Sequence, residues 1–128
     1  METQPVTLLV VDDDEVDAQG IERAFRKQKI ANPLVFATDG IEALKILRGD
    51  DGPTVHRPFL ILLDLNMPRM GGLEFLGELR ADERLRDSIV FVLTTSDADQ
   101  DKIAAYEKNV AGYIVKARAG DDFLKLLN

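Results

Sequence analysis

The chain has 128 residues, 45% of them hydrophobic and 30% charged, an ordinary globular balance with enough apolar material for one core. Its net charge of −7 opposes binding to polyanions, whose partners gain affinity by neutralising phosphates with Lys and Arg, and the absence of cysteine excludes disulfides, thiol catalysis and cysteine-bound zinc. No run approaches the ~20 apolar residues of a membrane span and the first residues lack a basic, apolar leader, so the expectation is a cytoplasmic chain with no membrane contact and no direct nucleic-acid contact.

Thr7-Leu8-Leu9-Val10-Val11 is a β-rich run without polar alternation, the pattern of a strand covered on both faces. It ends in Asp12, Asp13 and Asp14, the last of which is placed to cap a helix. That helix covers residues 15–29, with Val16, Ile21, Ala24 and Phe25 on its apolar side and Glu22, Arg23, Arg26 and Lys27 on the other. Asn32-Pro33 breaks it, and Leu34-Val35-Phe36-Ala37 gives a second strand. Thr38 or Asp39 caps the next helix, which runs through Ile41, Leu44 and Leu47 to Gly49, and residues 50–58 read as a surface loop.

Phe59-Leu60-Ile61-Leu62-Leu63-Asp64-Leu65-Asn66-Met67-Pro68 is a buried strand that runs into one aspartate and is stopped by proline. An unpaired buried charge costs several kcal/mol or more, so Asp64 belongs at the edge of the sheet beside a metal or a cation. A helix burying Leu73, Leu76 and Leu79 follows Met70-Gly71-Gly72. Residues 89–93 form a fourth strand ending in Thr94-Thr95-Ser96, and residues 97–108 a fourth helix with Ile103 and Ala104 inward. Residues 111–115 are the last strand and 121–127 the last helix.

Strands alternating with helices at this spacing predict an α/β fold in one domain, a parallel sheet with helices on both faces. Ligands of such sheets bind beyond the carboxyl ends of the strands where the strand order reverses. If the order is 2-1-3-4-5, the reversal falls between the strands ending in Asp12-Asp13 and in Asp64. Thr94 and Lys116 close strands four and five. Carboxylates crowded there repel unless a cation intervenes, and oxygen-only ligands with few protein contacts favour Mg²⁺. An aspartate can also attack phosphorus to give an acyl phosphate, with the metal, Lys116 and the Thr94 hydroxyl meeting the developing charge.

Five segments, in order, resemble the receiver domain of bacterial response regulators: Leu9-Val10-Val11-Asp12-Asp13, Asp39-Gly40-Ile41-Glu42-Ala43-Leu44, Leu63-Asp64-Leu65-Asn66-Met67-Pro68-Arg69-Met70-Gly71-Gly72, Leu93-Thr94-Thr95-Ser96 and Gly112-Tyr113-Ile114-Val115-Lys116. The resemblance implies a doubly wound, flavodoxin-like (βα)5 sheet of order 2-1-3-4-5 over residues 1–128. It implies Asp64 as phosphoacceptor, Asp12 and Asp13 positioning Mg²⁺ with Asp13 the preferred direct ligand, and the Asn66 carbonyl as a further metal oxygen. Thr94 and Lys116 would hold phosphoryl oxygens, and Tyr113 would turn inward when Thr94 shifts. Asn66 and Ser96 match the family's variable positions that tune phosphoryl lifetime.

The phosphoryl donor implied is a histidine kinase or histidine phosphotransfer protein, within a two-component system, and the output is a conformational change read by a partner rather than enzymatic turnover. Thr94-Thr95-Ser96 and the 50–58 loop resemble receivers that partner phytochrome-type kinases. Self-association through the fourth helix, fifth strand and last helix is a further expectation, from the apolar Phe123, Leu124, Leu126 and Leu127. His56, in a polar loop, reads as exposed and inert. One departure stands out: the family usually has proline after the lysine, often cis, whereas Ala117 follows Lys116 here, and a cis bond before alanine costs about 2.5 to 4 kcal/mol. A trans Lys116-Ala117 bond and a shifted start of the last connection are therefore expected. An aspartyl-phosphate phosphatase or phosphotransferase is the rival reading; such enzymes commonly carry a second acid where Asn66 stands, and an added cap.

Overall fold

The computed structural model describes residues 6–49, 55, 57–64, 72–94 and 110–126. Five strands, β1 (Thr7–Val11), β2 (Leu34–Ala37), β3 (Phe59–Asp64), β4 (Ile89–Thr94) and β5 (Gly112–Val115), form one sheet of order β2-β1-β3-β4-β5, with every neighbouring pair parallel. The helices are α1 (Glu15–Lys27), α2 (Gly40–Arg48), α3 (Gly72–Ala81) and α4 (Ala119–Leu126). The helix expected over residues 97–108, and with it most of the face expected to self-associate, lies outside the described residues, as do Asn66, Ser96 and His56.

Side chains alternate across a strand, so a strand with helices on both sides is apolar at every position. Leu9, Val11, Ile61, Leu63, Val90 and Val92 pack with α2 and α3 through Ala43, Leu44, Ile46, Leu47, Phe75, Leu76 and Leu79. On the other face Leu8, Val10, Leu62, Phe91, Leu93 and Ile114 meet α1 and α4 through Ile21, Phe25, Ala119 and Phe123. The Phe25 and Phe123 rings sit 5.2 Å apart between centroids. This pair joins α1 to α4, and the join is close: a Cβ on Gly120 would lie 2.8 Å from the Ala24 carbonyl oxygen, so only glycine lets the two backbones approach.

Local signals set the helix ends. Asp14 accepts from the amides of Val16 and Asp17, Asp39 accepts from Glu42 N at 2.8 Å, and Gly49 closes α2 in the left-handed region at φ 66°. The first helix ends two residues before the expected boundary. Lys29 takes φ 59°, with Lys29 N donating to Arg26 O and Ile30 N to Phe25 O, a Schellman turn that brings Ile30 back onto the core.

Two side chains expected inward point to solvent. Val16 is 70% exposed and Leu73 51%. At 100° per residue, Val16 lies about 130° from the stripe of Ile21, Ala24 and Phe25, and Leu73 about 110° from that of Phe75, Leu76 and Leu79. Apolar spacing found the helices but set their phase wrongly at these positions. Val55, in the expected surface loop, is buried against the α2/α3 face.

The Lys116-Ala117 bond is trans, since the one cis bond among the described residues is Arg57-Pro58. Lys116–Arg118 form a single 3₁₀ turn that leads straight into α4, which begins at Ala119 rather than at 121. Asp122 holds this turn: its Oδ2 accepts from Val115 N at 2.9 Å and its Oδ1 from Arg118 Nε at 3.0 Å.

Candidate functional site

The register brings the strand ends to one place. Val11 pairs with Leu63, so Asp12 leaves β1 beside Asp64, the last residue of β3. Asp64 in turn pairs with Leu93, and Thr94 with Val115, which sets Lys116 one residue past the end of β5. Asp12, Asp64 and Thr94 are 4%, 5% and 1% exposed, while Asp13 faces solvent. Burial of polar groups at the end of an otherwise apolar sheet needs compensation from close partners.

Much of that compensation comes from Lys116. Its Nζ lies 2.9 Å from Asp12 Oδ2, 2.9 Å from Asp17 Oδ2 and 3.2 Å from Asp64 Oδ1, and its side chain is only 11% exposed. Burial alone pulls the ammonium's pKa down. The hydrogen bond to Asp17 and the carboxylates of Asp12 and Asp64 outweigh it and hold the pKa well above the usual lysine range. Asp12 Oδ2 lies at ion-pair distance from Nζ, and Oδ1 accepts from Asp14 N at 2.9 Å.

Asp12, Asp13 and Asp64 each offer a carboxylate oxygen, and the three atoms lie within 4.8 Å of one another. With Asp17 they make four carboxylates to one ammonium, an excess of negative charge that a dication would reduce. The donors are all hard oxygens, and the cluster opens to solvent at Asp13. These residues fit a hard divalent ion that keeps some of its water.

The expected site residues Asp12, Asp13, Asp64, Thr94 and Lys116 thus converge. Tyr113 lies beside Val92 on β5, half-buried against the α2/α3 face. Two residues escaped sequence reasoning. Asp17 was not singled out, although it stands one helical turn past Asp13 on a helix that starts at this end of the sheet. Asp122, which fixes the turn bearing Lys116, left only the weak signal of an acid in a first helical turn.

A doubly wound sheet with acids, a threonine and a lysine at the carboxyl ends of β1, β3, β4 and β5 defines a receiver-type signalling fold. The model of the response regulator receiver domain matches residues 8–128, and the chain belongs to that family. Response regulator Rcp1 of Synechocystis sp. is 35% identical over 124 residues, 96% of this chain and 84% of that protein. A solved structure of Rcp1, in its Mn(2+)-bound form, superposes with a TM-score of 0.67 at 32% identity, covering 96% of this chain and 89% of that one. A two-component response regulator from Legionella pneumophila gives a TM-score of 0.79 at 40% identity over 95% of both chains. The phosphorylated cyanobacterial phytochrome response regulator RcpA gives 0.72 at 32% identity, over 97% of this chain and 89% of that one. The chain is therefore a receiver of two-component signalling, a signalling protein rather than a classical enzyme, in a family that binds divalent metal. Among the described residues no helix is long and apolar enough to cross a membrane.

Proposed function

We propose that this chain accepts a phosphoryl group on Asp64 from a phosphohistidine of a histidine kinase or histidine phosphotransfer protein and passes the signal on by a change of conformation. One observation carries the reading: Asp64 is buried at the end of the central strand with Lys116 Nζ at 3.2 Å and the carboxylates of Asp12 and Asp13 within 4.8 Å. The phosphorylated form of RcpA and the Mn(2+)-bound form of Rcp1 support it by analogy.

In this reading an Asp64 carboxylate oxygen attacks phosphorus as the P–N bond of the donor breaks, the electron pair leaves with the imidazole, and an acyl phosphate remains on Asp64. Lys116, already charged and aimed at Asp64, pairs with a phosphoryl oxygen, and the Thr94 hydroxyl, on the neighbouring strand, donates to another. Asp12, Asp13 and Asp64, with the Asn66 carbonyl, would hold Mg²⁺, which when bound neutralises charge on the phosphoryl oxygens. Recruitment of Thr94 and Lys116 by the new charge then biases Tyr113 and the surface around β5. Residues 1–128 act as one receiver domain.

Intact mass after incubation with acetyl phosphate and Mg²⁺ tests the assignment. Wild type should gain one phosphoryl group and Asp64→Asn none. Equal labelling of the two proteins would move the acceptor elsewhere.

A further inference from the structure

Lys116 is shared between two kinds of partner. Asp12 and Asp64 belong to the carboxylate cluster, so a dication bound there claims oxygens that the lysine now faces. Asp17 does not belong to that cluster. It sits on α1, its amide bonded to the N-cap Asp14 at 3.2 Å, and its carboxylate is 38% exposed, against 0% and 8% for the side chains of Asp12 and Asp64. The lysine donates a hydrogen bond of 2.9 Å to Asp17, across 99 residues of sequence, at the same distance as its approach to Asp12.

An ammonium has three donors, and a lysine this buried cannot be left without an anion. Were Asp12 and Asp64 its only partners, cation binding would have to strip the lysine of its partners or compete with it. Asp17 removes that conflict because its carboxylate stays with the lysine whatever happens at the cluster.

We infer that Asp17 is a positioning residue for the cation site: it supplies Lys116 with a carboxylate outside the cluster, so that the lysine can yield Asp12 and Asp64 to a divalent ion without becoming unpaired. The inference rests on the cation-binding reading of Asp12, Asp13 and Asp64. It predicts that loss of Asp17 weakens cation binding through the lysine and not merely through the loss of one negative charge.

Mn²⁺ affinity, read from the paramagnetic resonance signal of the free ion at physiological ionic strength, tests this in the wild type, Asp17→Asn, Lys116→Met and the double variant. Asp17 and Asp64 contact the same ammonium, so Asp17 lies within the Debye length of about 8 Å from the cluster; its direct field acts in both backgrounds and cancels in the comparison. The affinity loss caused by Asp17→Asn should be about three- to tenfold greater with Lys116 present than in the Lys116→Met background, the coupling expected of groups in contact. The same loss in both backgrounds would reduce Asp17 to a surface charge and overturn the inference. If Lys116→Met does not fold, the Asp17→Asn loss is read again at about 1 M salt, where screening over about 3 Å removes the direct field of an exposed charge. A loss that persists at that salt supports the inference; one that vanishes overturns it. Absence of Mn²⁺ binding by the wild type would instead defeat the underlying reading of the cluster, and the inference with it.

Discussion

The two ends of the sheet treat charge in opposite ways. At the amino end, ahead of β3 and β4, Arg57 reaches Asp87 at 3.0 Å and the Arg84 carbonyl at 2.7 Å, and Arg80 donates to the carbonyls of Arg86 and Ser88 at 2.7 Å each. The Arg57–Asp87 pair is 54% and 77% exposed. There the charged groups find private partners and water, and they stitch the turn after α3. At the carboxyl end one ammonium serves three carboxylates, two of them buried, and a fourth stands beside them. Solvated, separately partnered charge holds a fold together; crowded, under-compensated charge is strain kept for a ligand.

Substitutions can break or sharpen this contrast, and the largest effect belongs to Lys116. Lys116→Met leaves buried carboxylates without their ammonium and should lower unfolding free energy by about 3 kcal/mol, the lower end for breaking a buried pair because Asp17 is partly solvated. Urea titrations should show part of that loss restored by Mg²⁺. The folded-state pKa of Lys116 is raised, so its contribution is complete below the ordinary lysine pKa of about 10.4 and is lost only as pH rises through the higher folded value. The gap between the two proteins should therefore stay constant from neutral pH to about pH 9. A gap that closes within that window would mean that the lysine is not held as described.

Gly120→Ala comes next. The added methyl meets the Ala24 carbonyl and should cost about 1 to 3 kcal/mol by pushing α4, and with it the turn bearing Lys116, away from α1. Thermal unfolding measures the cost, and weaker Mn²⁺ binding should accompany it. Asp64→Asn should run the other way: removing one of several repelling carboxylates should stabilise the fold by about 0.5 to 2 kcal/mol while abolishing phosphorylation. A marked loss of stability there would show the carboxylate to be structural. Arg57→Ala, at the opposite end, should cost less than about 1 kcal/mol and leave labelling of Asp64 unchanged.

Much of this contrast could be read before any coordinates. Asp12, Asp13, Asp64, Thr94 and Lys116 each follow an apolar run, and parallel strands of similar length bring such positions to one edge of a sheet. Val16 and Leu73 lie about 130° and 110° from the apolar stripes of their helices, so at 100° per residue their outward direction was also legible in the sequence. Asp17 was passed over for another reason. Its role is a contact with Lys116, and no local pattern encodes a partner that far along the chain.

By itself the sequence determined the five strands, the capped starts of α1 and α2, the strand-end acids and the trans bond before Ala117, because these depend on neighbours in the chain: continuous apolar runs, side chains reaching nearby amides, and the isomer preference of a single peptide. Only the tertiary structure decided how Lys116 divides itself among Asp12, Asp17 and Asp64, why Gly120 must be glycine, and how Asp122 ties β5 to α4. Those are distances between segments that meet only after the sheet has formed and α1 has packed on α4. At the carboxyl end of the sheet, such distances set the electrostatics on which the site depends.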